Sequence, residues 1–218
     1  MAWMVKRMII LFDLDGTLID STEAILESFH NSFEVHKSTQ PSDEAIKALI
    51  GHPLDIMYRE LGAVEEKVWE YVDTYKEHYR EISTQKTELL QNAKEAVALA
   101  SEIAEIGIVT TKTGKYSQVL MEHFGLMDKF EVLIGREHVK NPKPDAEPIL
   151  KALESFDTEG KEIWMVGDTE MDLLSAQNAS INSLGVLCGY GSKKSLEVYT
   201  PLLFDNTFEA IKYLKSRK

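Results

Sequence analysis

The stretch Met8-Ile9-Ile10-Leu11-Phe12-Asp13-Leu14-Asp15-Gly16-Thr17-Leu18-Ile19-Asp20 decides how the rest of the chain is read. Five apolar residues run into Asp13, and Asp15 follows with only Leu14 between. A short apolar run rich in Ile and Phe that stops near a glycine reads as a strand buried on both faces, of the parallel-sheet kind. Alternate side chains of an extended segment point the same way, so Asp13 and Asp15 start on one face. At roughly 4 Å two carboxylates repel by about 4 kcal/mol at an effective dielectric of 20. Such a pair calls for a cation between the groups or a proton on one of them. Acids that simply face water at a strand end are the alternative. The apolar run ahead, the turn at Gly16 and the hydroxyl of Thr17 favour a metal or acid–base site.

At 218 residues the chain can bury a real core and hold one domain plus a smaller one. A composition of 44% hydrophobic and 28% charged residues is that of an ordinary soluble globular protein. The net charge of −12 argues against nucleic acid or an anionic membrane as partner. An anionic substrate must therefore be drawn in by a metal or by a few placed cations. Cys188 is the single cysteine, which excludes a disulfide framework and predicts a reducing compartment. The first seven residues, MAWMVKR, are too short and mixed for a signal peptide, and no apolar stretch approaches the length that spans a bilayer. The expectation is a cytoplasmic protein.

Beyond the first strand, Asp20 with Glu23 has the form of a capping box, and Ile25, Leu26, Phe29 and Phe33 follow helical spacing. Short helices are predicted over 45–50 and 54–61 and a longer one over 64–82, with Gly51-His52-Pro53 as a break. Residues 20–85 thus read as an all-helical insertion, a small cap domain, between the core pieces 1–19 and 86–218. Asn92 with Glu95 marks another helix start. Strands are then predicted at 105–110, 131–134, 163–166, 183–187 and 202–204, alternating with helices at 93–103, 116–124, 146–156, 171–179 and 208–214. This alternation predicts an α/β fold, a doubly wound parallel sheet with helices on both faces.

In such a sheet the ligand crevice lies beyond the carboxyl ends of the strands. Four polar groups fall at such places: Asp13 and Asp15, then Thr110-Thr111, then Lys143 between Pro142 and Pro144, then Asp168 and Asp172 at a helix start. Singly, Thr110 reads as a helix cap, Lys143 as a solvated loop residue, and the last two acids as complements to a helix dipole. Together they suggest a hard cation on Asp13 and Asp168, with a phosphate on that cation, the Thr110 hydroxyl and Lys143.

Asp13-Leu14-Asp15-Gly16-Thr17, Thr110, Lys143-Pro144 and Gly167-Asp168-x-x-x-Asp172 resemble, in order, the four motifs of the haloacid dehalogenase superfamily. The helical insertion, Leu49-Ile50-Gly51-His52-Pro53-Leu54 within it and Leu187-Cys188-Gly189-Tyr190-Gly191 are similar to the phosphoglycolate phosphatase-like branch. The resemblance implies a Rossmann-like core and a Mg2+-dependent phosphatase. Asp13 would be the nucleophile that becomes an aspartyl phosphate, and Asp15 the general acid and then base. Thr110 and Lys143 would hold the phosphoryl group. Asp13, the backbone carbonyl of Asp15 and Asp168 would ligate Mg2+, with Asp172 behind them. Asp15 separates the chain from the dehalogenases, whose halide leaving group needs no acid. Two departures stand out: Thr111 where the family commonly has Asn, and Gln91-Asn92 where it commonly has Pro-Gly.

The expected substrate is a small phosphorylated metabolite, phosphoglycolate first, bound by Thr17, Gly51, His52, Thr110, Thr111 and Lys143. His52, Arg59 and Lys47 are candidate cations for its carboxylate. A phosphomutase, a pyrophosphatase or a 5'-nucleotidase would keep the same core residues, and a phospho-accepting signalling domain would share the strand-end Asp, Thr and Lys. A monomer or homodimer is expected.

Overall fold

The computed structural model describes residues 8–217, so the expectation about MAWMVKR lies outside the described residues. Met8–Phe12 (β1) is buried along its whole length. A two-residue strand, Ile19–Asp20 (β2), precedes four helices: Thr22–Val35 (α1), Asp43–Lys47 (α2), Leu54–Glu60 (α3) and Val68–Ile82 (α4). Glu88–Leu89 (β3) then pairs antiparallel with β2. The chain continues through Ala93–Ile103 (α5), Glu105–Val109 (β4), Gly114–His123 (α6), Val132–Ile134 (β5), Glu147–Leu153 (α7) and Glu162–Gly167 (β6). It ends with Glu170–Asn178 (α8), Asn182–Val186 (β7), Lys193–Leu196 (α9), Leu203–Phe204 (β8) and Thr207–Ser216 (α10).

Six strands form one parallel sheet in the order β5-β4-β1-β6-β7-β8. Alternation along β1 sends side chains to two different cores. Ile10 and Phe12 pack with Ile106, Ile108, Trp164 and Val166 under α5, α6 and α10. Ile9 and Leu11 pack with Val109 and Met165 under α7 and α8. The doubly wound α/β sheet is therefore as expected, and its central strand is apolar throughout because both of its faces are covered. The helices of residues 22–82 gather round a third apolar cluster. It is largely aromatic, with ring centroids 4.7 Å apart for Phe29 and Tyr58 and 5.3 Å apart for Phe33 and Tyr71.

Several local expectations change. The β2–β3 ribbon was not legible, because strands of two residues carry no periodicity to detect. Ser21, not Asp20, is the N-cap of α1. Asp20 accepts a hydrogen bond from the Thr22 N–H at 2.9 Å, and Glu23 pairs with Lys86 rather than closing a box. Asn92 caps α5 by position only, with φ at +60° and no side-chain cap bond. The 3₁₀ turn Arg136–His138 and helix α9 were also unanticipated, being too short for a periodic pattern.

Candidate active site

The order β4-β1-β6 sets three strand ends side by side, and the residues that follow them are Thr110, Asp13 and Asp168. The Asp13 N–H donates to the Val166 carbonyl at 2.9 Å and the Thr110 N–H to the Ile134 carbonyl at 2.9 Å. The ladders thus run one residue past the strands and fix where these side chains emerge. Carboxylate oxygens of Asp13, Asp168 and Asp172 lie within 4.8 Å of one another, and all three residues are buried.

Each acid is held by a separate device. Asp168 accepts from the Thr17 hydroxyl at 2.9 Å and from the Tyr190 N–H at 2.8 Å. Asp172, in the first turn of α8, accepts from the Thr169 N–H at 3.0 Å and the Thr169 hydroxyl at 2.7 Å, a capping box that also orients it. Lys143 donates to Asp13 at 2.8 Å, to Asp172 at 2.5 Å and to the Val109 carbonyl at 3.0 Å. Gly16 leaves the strand at φ +81°, where a Cβ would stand 2.2 Å from Asp168 Oδ2, so a residue with no side chain is required.

Three buried acids share one buried ammonium, so the cluster is short of positive charge. Burial raises the Asp13 carboxyl to about 7 against the pull of Lys143, with Asp172 pushing the same way as burial. Burial, then Asp172 and Asp13, hold Asp168 well above the usual carboxylate value. Burial alone would lower Lys143, but Asp13 and Asp172 keep it above the ordinary lysine value. An all-oxygen, hard donor set with two charges still unbalanced fits a divalent ion such as Mg2+.

Asp15 stands apart from this cluster, on the cavity side. Both of its carboxylate oxygens accept from Lys112 Nζ, at 2.8 and 3.1 Å, and the Ser21 hydroxyl also donates to it. Lys112 in turn lies 4.6 Å from the centre of the Tyr79 ring on α4. Its ammonium, which burial would lower, is held above the usual lysine value by Asp15 first and Tyr79 second. Lys112 is the site residue that the sequence reading missed; its place two residues beyond Thr110, in the same strand-end loop, was the available signal.

The structure redistributes the expected substrate contacts. The Thr110 hydroxyl accepts from the Lys112 N–H at 3.2 Å and so keeps its own proton to donate. The Thr111 hydroxyl donates to the Gly51 carbonyl at 3.0 Å, a bond between the sheet loop and the helical segment rather than a free phosphate contact. Thr17 likewise serves Asp168 and is fully buried, so it is not a free substrate contact. Arg59 is tied to Asp55 and Glu65. His52 does line a cavity of about 270 Å3 together with Asp15, Thr111 and Lys112, whereas Arg59 and Lys47 do not.

Residues 10–186 match the haloacid dehalogenase-like hydrolase family. The chain belongs to that family. Pyrophosphatase PpaX of Bacillus mycoides is 32% identical over 194 residues, 88% of this chain and 89% of that protein. Pyrophosphatase PpaX of Halalkalibacterium halodurans is 33% identical over 175 residues, 80% of each. Among solved structures, a haloacid dehalogenase-like family hydrolase from Streptococcus pneumoniae superposes with a TM-score of 0.85 at 25% identity, covering 97% of this chain and 100% of that one. A "predicted phosphoglycolate phosphatase" from Haemophilus somnus 129pt shares the fold, with a TM-score of 0.85 at 23% identity over 97% of this chain and 100% of that one. Membership makes the chain a hydrolase of the haloacid dehalogenase-like group. No helix among the described residues is long and apolar enough to cross a membrane.

Proposed function

We propose that the chain is a Mg2+-dependent phosphatase that hydrolyses small phosphate monoesters through an aspartyl phosphate on Asp13. The observation that carries this reading is the separation of the two strand-end acids. Asp13 sits in the buried carboxylate cluster under Lys143, while Asp15 faces the cavity under Lys112. One is placed to meet phosphorus and the other to meet a leaving oxygen.

A carboxylate oxygen of Asp13 attacks phosphorus as the ester P–O bond breaks, and Asp15 gives its proton to the departing oxygen. Asp15 then takes a proton from water, whose oxygen attacks phosphorus, and the bond to Asp13 breaks to release phosphate. Asp13 and Asp168, with Asp172 behind, would hold the ion, whose chemistry would be charge neutralisation on the phosphoryl oxygens. Lys143 and the Thr110 hydroxyl orient those oxygens. Before Asp15 can donate, it must take up a proton and release one of its two bonds to Lys112.

Phosphoglycolate and pyrophosphate are the two small candidates; the first rests on the motif resemblance, the second on the names of the relatives. The reading includes a cytoplasmic monomer or homodimer without nucleic-acid or membrane partners, supported by the net charge of −12. An Asp13→Asn variant should fold, as read by circular dichroism, and release no phosphate from any member of a metabolite panel with Mg2+. Full turnover in that variant would end the mechanism.

A further inference from the structure

The cavity against Asp15 is built for more than a second anion. Behind one wall runs a row of aromatic rings: Phe29 and Tyr75 have centroids 5.0 Å apart, Tyr75 and Tyr79 stack at 5.5 Å with 11° between planes, and Tyr116 follows at 6.2 Å. Met57, Val72 and Trp69 extend the apolar lining, and Trp69 is 58% exposed although it is large and apolar. A bare phosphate or a two-carbon acid leaves such a wall unfilled, and desolvating an anion against it is unfavourable.

Most charges on the lining are already engaged. Three carboxylates, Asp15, Asp55 and Glu137, face three cations, Lys76, Lys112 and Arg136. Lys112 is already matched by Asp15, and Arg136 donates to the Val139 carbonyl. Asp55 is tied to Arg59, and Glu137 accepts from the Gly114 and Lys115 N–H groups.

We propose that the leaving group of the natural substrate is a ring-sized, mostly apolar alcohol of the aromatic kind, packed against Tyr116 and Trp69. This deepens the phosphatase reading and rests on it. The volume, about 270 Å3, approaches the lower end of pockets that hold drug-sized ligands. Trp69 then covers the far end of the bound body.

The test compares kcat/KM for 1-naphthyl phosphate, phosphoglycolate and pyrophosphate with Mg2+ present. The aromatic ester should be preferred at least about tenfold. Val72→Phe, which narrows the cavity without adding a polar group, should lower the ratio of kcat/KM for 1-naphthyl phosphate to that for phosphoglycolate about tenfold, with the fold verified by its melting curve. Trp69→Ala, at an exposed position, should lower the same ratio by about threefold or more, with the fold checked in the same way. A preference for pyrophosphate or phosphoglycolate, or a ratio that neither variant moves, would overturn the assignment and leave the phosphatase reading standing. No Mg2+-dependent release from any of the three compounds would remove both.

Discussion

Lys112 holds Asp15 by both carboxylate oxygens, with its Nζ 2.8 Å from Oδ2 and 3.1 Å from Oδ1, while its other side rests on the Tyr79 ring. One ammonium therefore joins the strand-end loop, the proposed proton carrier and helix α4. Lys112→Met keeps the length of the chain and removes the charge. It should lower kcat about ten- to a hundredfold, an apparent barrier increase of about 1.4–2.8 kcal/mol. Steady-state rates on phosphoglycolate measure it, and an unchanged kcat would mean that Asp15 needs no partner.

Mg2+ should stabilise the fold more at high pH than at low. The Asp13 carboxyl titrates at about 7 in the fold against 3.8 for the free group, so between those values the folded state holds a proton that the unfolded state has lost. Stability from this group is therefore full below about 4 and is lost as pH climbs through 7. A divalent ion offsets the cost of burying that charge and the lesser push from Asp172. The melting-temperature gain from Mg2+ should be larger at pH 8 than at pH 5.5, and an equal gain at both would contradict this origin of the shift.

Thr110 and Thr111 should behave differently despite being neighbours. Thr110 keeps a hydroxyl proton to donate, so Thr110→Val should lower kcat/KM about tenfold or more, as expected for a lost bond to a charged group. The Thr111 hydroxyl is engaged with the Gly51 carbonyl, so Thr111→Val should weaken the fold by about 1 kcal/mol and change kcat/KM by no more than about threefold. Kinetics and thermal melts of the two variants decide it, and equal kinetic defects would count against the division of roles.

Gly189→Ala should damage the ion site selectively. A Cβ there would lie 2.1 Å from Asp168 Oδ2 and 2.5 Å from the Gly16 carbonyl oxygen, so Asp168 has to shift. The Mg2+ concentration for half-maximal activity should rise about tenfold or more, with a stability loss of about 1–3 kcal/mol from overpacking. An unaltered Mg2+ dependence would show that Asp168 can move without consequence.

The sheet and its carboxyl-end acids were legible because a buried central strand must be apolar on both faces and must stop where its charges begin. Asp13, Asp168 and Lys143, far apart in the chain, converge as strand-end logic requires. What stayed hidden depended on contacts between segments with no sequence relationship. The hydroxyls of Thr17 and Thr111 looked free for substrate because their partners, Asp168 and the Gly51 carbonyl, lie 151 and 60 positions away. The role of Lys112 was invisible for the same reason, since 97 residues separate it from Asp15. The rings of Tyr75, Tyr79 and Tyr116 lay in segments read only as helices.

The two-rung ribbon of β2 and β3, in which Ile19 faces Leu89 and Asp20 faces Glu88, has a consequence for how this architecture diversifies. Departure and return of the helical insertion meet at one stitched point, so the excursion between them is a closed loop as seen from the sheet. Segments of other lengths and shapes can be spliced in at that stitch with little added closure entropy and without disturbing a single rung of the main ladder. New specificities can thus be tried on top while the hydrolytic machinery beneath stays as it is.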